Sequence, residues 1–145
     1  MYQADVMNIG DFPNLPYLID GDLKFSETEG IARYIVRRGG RPEMLGKNPQ
    51  DEAVMNNFLY AFEGLITPLL GMTFDKKVNE KKTGHFYKTK GEFNKVEKFL
   101  QGKHHVIGYI TIADFFVAEL SYYIQLLYPE EFKSFKNIIT VREKV

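Results

Sequence analysis

The sequence predicts an α+β fold, mostly helical: a ββα unit near the N-terminus followed by an all-helical domain. Three observations predict it. Asp20-Gly21 stands between short apolar runs, the strongest hairpin signal in the chain. Apolar residues recur at spacings of three and four through residues 54–69 and again through 116–127, the period of a helix with one buried face. Between the hairpin unit and these helices, residues 39–50 are rich in Gly and Pro, and neither pattern holds there.

Pro16 lies just before the first strand, because proline has no N–H to give to a ladder interior. Leu18 and Ile19 lead into the turn, and Leu23 and Phe25 alternate out of it. Ser26-Glu27-Thr28-Glu29 then has the S-x-x-E spacing of a capping box, which makes Ser26 the N-cap and Glu29 the N3 residue of a helix. That helix repeats its apolar residues at Ile31, Tyr34 and Ile35. Arg37-Arg38 suit the negative end of its dipole, and Gly39-Gly40 break it.

Residues 11–21, DFPNLPYLIDG, with the polar pair Glu27-Thr28 opening the next helix, resemble the glutathione-binding stretch of the glutathione transferases, most closely the mu-like class. Thr111 to Asp114 supply a second point of resemblance. The resemblance implies a remnant of a thioredoxin-like, glutathione-binding domain in residues 1–40, a linker in 41–50, and the family's all-α C-terminal domain in 51–145. It also implies the activity: conjugation of the glutathione thiol to electrophilic, apolar substrates. It implies glutathione as co-substrate with no other cofactor, and a homodimer; a cytoplasmic setting is the default expectation for a sequence with neither a signal-peptide pattern nor a membrane-span run.

By the same resemblance the glutathione-binding residues are Asn14, Leu15, Pro16, Glu27, Thr28 and Asn56. The γ-glutamyl carboxylate belongs at Glu27 and Thr28, where a helix N-terminus offers free N–H groups and a positive dipole end. Glu27 stands where mu-like members usually carry Gln, and its carboxylate can pair with the ligand's α-ammonium. A cis Leu15-Pro16 bond turns the Leu15 backbone toward the cysteinyl backbone of the ligand, and Asn14 borders it. Asn56 stands where the family carries an Asp that reaches the partner subunit's glutathione. Read without the resemblance, Glu27 and Glu29 favour the first turn of any helix, and Asn14 and Pro16 mark a loop entering a strand.

In the family a β-α-β unit precedes this stretch, and its first strand carries the Tyr or Ser that activates the thiol. The resemblance thus implies truncation at the N-terminus and shortening at the C-terminus. It assigns no catalytic residue to this chain, and Tyr2 has no strand signal around it. The expectation is little or no turnover by this chain. The alternative is a non-catalytic binding or dimerisation module of the same family.

The 145 residues are 44% hydrophobic and 26% charged with zero formal charge, a soluble globular composition sufficient for one domain or slightly more. No basic excess points to nucleic acid. The absence of Cys excludes disulfides, thiolate metal sites and a cysteine nucleophile. Residues 1–10 lack the pattern of a signal peptide, and no apolar run approaches the roughly 18 residues a membrane span needs.

Further along, Asn48 is placed as N-cap and Pro49 as N1 of a long helix. Its stripe is Val54, Met55, Phe58, Leu59, Phe62, Leu65, Ile66 and Leu69, and Pro68 and Gly71 should kink or end it. Phe58, Tyr60 and Phe62 either border a substrate cleft or fill the core, and the core is the better expectation. Residues 75–98 are Lys-rich, which reads as a solvated face with Phe86, Tyr87 and Phe93 turned inward. Val96, Phe99 and Leu100 mark the end of that helix before Gly102. His104 and His105 are adjacent and have no acidic neighbour in sequence, so no metal site is expected. Thr111 and Asp114 form the N-cap and N3 of a last long helix, flanked by Ile110 and Phe115 as a hydrophobic staple. Phe116, Val117, Leu120, Ile124 and Leu127 continue its stripe to Tyr128-Pro129. Residues 132–145 begin another helix.

Overall fold

The computed structural model describes residues 12–145, so the expectations for Tyr2 and the rest of residues 1–11 lie outside the described residues. The chain divides into two compact units, the first ending at Leu45 and the second formed by Gly46–Val145.

In the first unit β1 (Tyr17–Asp20) and β2 (Leu23–Ser26) pair antiparallel, with Tyr17 opposite Ser26 and Asp20 opposite Leu23. The loop pair is therefore Gly21-Asp22, one residue later than the Asp20-Gly21 signal suggested. Gly21 opens the loop at φ +61°, which a side chain would resist. Helix α1 (Thr28–Arg38) follows. Asp20 ties the hairpin to it: the Tyr34 hydroxyl donates to Asp20 Oδ2 at 2.7 Å, and Arg38 Nε lies 3.4 Å from the same oxygen. The Tyr34 hydrogen bond is the main influence that holds the Asp20 carboxyl below its ordinary range. The Tyr34 ring meets Phe25 edge-on at 5.4 Å. No residue of α1 is fully buried, and Ile35 on the expected apolar side is exposed. A 3-10 turn, Pro42–Leu45, then occupies part of the Gly- and Pro-rich stretch.

The second unit contains α2 (Pro49–Thr73), α3 (Val78–Phe99), α4 (Ile112–Leu127), a short α5 (Pro129–Phe132) and α6 (Lys136–Arg142). Asn48 caps α2 as expected, its Oδ1 accepting the Asp51 N–H at 2.9 Å. Gly46 precedes it at φ +114°, where an added Cβ would lie 2.7 Å from the Glu52 backbone nitrogen; only glycine fits. The Tyr109 hydroxyl braces this corner by accepting the Lys47 N–H and donating to Asp51, both at 2.8 Å.

The core is built from Met55, Phe58, Leu59, Phe62, Leu65 and Leu69 of α2, Phe86 and Phe93 of α3, and Val117, Leu120, Ile124 and Leu127 of α4. Phe135, Ile138 and Val141 close it from the α6 end. Phe58 stacks on Phe99 at 5.3 Å, so the reading of Phe58 and Phe62 as core holds, whereas Tyr60 faces out.

Several details differ from the sequence reading. Val54 is exposed, because the stripe centred on Met55, Phe62 and Leu69 leaves it at the edge. Helix α2 runs past Pro68 and Gly71 to Thr73. Buried Leu65 and Leu69 hold that last stretch although Pro68 forfeits one backbone hydrogen bond. Tyr87 points outward, about 100° round the helix from the side that buries Phe86 and Phe93. Phe132 ends a short helix begun by Pro129, and the next helix starts at Lys136. Among the described residues no helix is long and apolar enough to cross a membrane.

Candidate functional site

The site assembles at the corner between β2 and α1. Ser26 completes the ladder opposite Tyr17, and its hydroxyl donates to the Phe12 carbonyl. It therefore does not cap α1, and the predicted capping box at Ser26 and Glu29 does not form. A residue committed to the ladder cannot also place its hydroxyl over the next turn. Glu29 turns instead to Arg33, one turn along, accepting from its Nε at 2.9 Å and its Nη2 at 2.6 Å.

Glu27 becomes the N-cap residue and takes φ +74° and ψ +115°. Outside glycine such a backbone costs on the order of 1–3 kcal/mol, and it clusters at functional sites. Among the described residues no side chain caps α1. The first helical bond is Ile31 N–H to the Glu27 carbonyl, at 2.9 Å. The amides of Thr28, Glu29 and Gly30 thus lie in the first turn, where a helix has no acceptors of its own to offer them. Glu27 and Thr28 are both exposed.

Asn14 joins this tip to the loop entering β1. Its Nδ2 donates to Glu27 Oε1 at 3.1 Å, while its Oδ1 accepts the Leu15 N–H at 2.9 Å. The Leu15–Pro16 peptide bond is cis. Asn14, Leu15 and Pro16 are exposed. The structure therefore brings Asn14, Leu15, Pro16, Glu27 and Thr28 to one place. Asn56 lies half-buried on α2 in the second unit. Sequence reasoning missed both the Asn14–Glu27 hydrogen bond and the role of Ser26. The second had a signal: counting register back from the two-residue loop places Ser26 in the ladder.

The arrangement sets one carboxylate beside a cluster of N–H donors at the positive end of a helix dipole. Such a pair suits the head of an α-amino acid, with its carboxylate on the amides and its ammonium toward Glu27.

Thr111 and Asp114 form a different kind of site. Both are fully buried at the start of α4. Asp114 Oδ2 accepts the Thr111 N–H at 2.7 Å and its hydroxyl at 2.9 Å, and Oδ1 accepts the Val106 N–H at 2.9 Å. His105 Nδ1 lies 3.4 Å from the same carboxylate, so His105 does have an acidic neighbour. The α4 turn supplies it across nine positions of sequence.

No protein-family model matches the chain. Curated relatives do. A glutathione S-transferase of Tyrophagus putrescentiae is 30% identical over 144 residues, covering 98% of this chain and 65% of that protein. One from Dermatophagoides pteronyssinus is 29% identical over 134 residues, covering 90% of this chain and 59% of that protein. The class-mu 26 kDa isozyme 51 of Fasciola hepatica is 27% identical over 144 residues, covering 98% and 65%. The chain thus spans about three-fifths to two-thirds of the length of these relatives. The crystal structure of the glutathione S-transferase Blo t 8 shares the fold, with a TM-score of 0.79 at 21% identity over 99% of this chain and 68% of that one. Along nearly its whole length the chain is similar in sequence to glutathione S-transferases, and it shares the fold of one of them.

Proposed function

We propose that the α1 tip binds the γ-glutamyl end of glutathione, and that the protein is a glutathione transferase conjugating that thiol to electrophilic, apolar compounds. The uncapped tip with Glu27 held beside it by Asn14 carries this reading. The ligand's terminal carboxylate takes the Thr28 amide and hydroxyl, and its ammonium takes Glu27. The Leu15 N–H, turned toward Asn14 Oδ1, exchanges that contact for the cysteinyl carbonyl, one hydrogen bond for another.

A free thiol has a pKa near 8.5, so only a few per cent is thiolate at neutral pH. A donor to the sulfur raises that fraction, and the residues at the tip contribute binding and orientation. The reading includes glutathione as the sole co-substrate, a cytoplasmic setting, and a homodimer with Asn56 toward the partner's ligand. Pairing is supported by the outward side of α2, where Ala53, Asn57, Tyr60, Gly64, Thr67 and Gly71 are all exposed and none is charged.

Retention on immobilised glutathione, run beside a conjugation assay with a chlorinated aromatic, tests the proposal. Retention released by free glutathione supports the binding site. Passage without delay at low salt overturns it.

A further inference from the structure

We propose that His85 and Tyr128 form an acid-released latch that holds the α5–α6 end of the second unit on α3. Tyr128 is the hinge residue of that end: it follows the last residue of α4, precedes the first of α5, and is buried. Its hydroxyl meets His85 Nδ1 at 2.5 Å, and the two rings lie nearly parallel, 12° apart. Around the phenol, Phe86 and Phe93 of α3 close at 5.0 and 6.4 Å, and Phe93 meets Phe135 edge-on at 5.9 Å.

A second polar clamp sits farther along α3. The Glu97 carboxylate accepts the Asn137 N–H at 2.8 Å and the Ile138 N–H at 3.0 Å, capping α6 from outside. Helix α3 therefore grips the residue before α5 and the start of α6, through one histidine and one carboxylate, while α4 packs on both short helices.

The two clamps respond differently to acid because of the imidazole. Neutral imidazole has one donor and one acceptor nitrogen, whereas imidazolium has two donors. His85 Nε2 is buried and has no hydrogen-bond partner among the described residues. In either tautomer, protonation leaves a charged N–H at a buried position with no acceptor, or forces the Tyr128 hydroxyl to reverse. Burial first, then the nearby Lys88 charge, holds His85 below its ordinary value. Burial first, then Glu131 on α5, pushes Tyr128 up to about 12, so its hydroxyl stays protonated. Among the described residues Lys88 and Glu131 are the charges that act on the pair. Neither α2 nor α6, which also pack on α3, sets one against it. The closed latch binds fewer protons than the open one, so acid favours opening.

The test is hydrogen exchange of the whole chain at pH 7.5 and 5.0, expressed as protection factors to remove the intrinsic pH dependence. An NMR titration of the His85 ring runs alongside. Acid should lower protection in residues 128–142 by roughly two- to tenfold, the value of one net hydrogen bond, while the middle of α2 keeps its protection. In His85→Gln, which cannot take up a proton, the acid response of residues 128–142 should vanish. Should that variant fold poorly, wild-type data decide: His85 must titrate below its ordinary value, in step with the loss of protection. The proposal is overturned by an unchanged acid response in His85→Gln, by a loss spread evenly over α2 and α4, or by titration of His85 without any change in protection.

Discussion

Asp114→Ala removes the carboxylate that accepts from the Thr111 N–H, the Thr111 hydroxyl and the Val106 N–H. Asp114, Thr111 and Val106 are fully buried, so water does not reach the donors until the loop opens. A hydrogen bond to a charged group contributes about 1.5–3 kcal/mol, and a buried donor left without a partner costs about 1–3. Summing these over the bonds present overshoots, because the loop before α4 relaxes and water enters. A net loss of about 3–5 kcal/mol remains, comparable to breaking a buried pair. Asp114→Asn should cost nearly as much, since its amide must turn a donor toward one of those donors. Equilibrium unfolding in urea, followed by far-UV circular dichroism and extrapolated linearly, measures the loss. Against a typical total of about 5–15 kcal/mol, either variant should be marginally folded. A loss under about 1 kcal/mol in both would refute the view that this buried carboxylate pins the start of α4.

Gly46→Ala should destabilise by about 2–4 kcal/mol, because its Cβ would meet the Glu52 backbone at 2.7 Å and its φ of +114° suits glycine alone; a thermal melt checks this. Glu97→Ala should cost about 2 kcal/mol and raise hydrogen exchange first in residues 136–142, whose leading amides it caps. Tyr128, raised to about 12 from an ordinary 10, contributes stability that is present below pH 10 and lost as pH climbs toward 12. The sign follows because the unfolded phenol ionises first. Wild-type stability should therefore fall by about 2–3 kcal/mol more than that of Tyr128→Phe over this window, measured by denaturant titration at each pH.

Much of this was legible in sequence, for identifiable reasons. Asn48 and Pro49 start α2 because side-chain capping and a fixed φ are local properties. The α2 stripe buries Met55, Phe58, Phe62 and Leu69 because hydrophobic period and helix period coincide. Capping at Ser26 failed for a reason the motif does not contain: the hairpin register claims Ser26 first, and the corner falls to Glu27 at a backbone angle no residue type announces. His105 found an acidic neighbour, and Glu97 found α6, only through tertiary contact. At the candidate site, residue identities were readable from the family resemblance. The hydrogen bond from Asn14 to Glu27 joins residues 13 apart and follows from neither periodicity nor capping rules.

Isothermal titration of the chain with S-methylglutathione, repeated on Thr28→Pro, addresses the site directly. Proline is tolerated at the first position of a helix, yet it removes both the amide and the hydroxyl assigned to the ligand's carboxylate. Circular dichroism establishes that the variant keeps its helices. Saturable binding by the chain, weakened on the order of tenfold or more in the variant, is the result expected if the α1 tip holds the γ-glutamyl end. Equal affinity in a folded variant, or no binding by the chain at all, would contradict it.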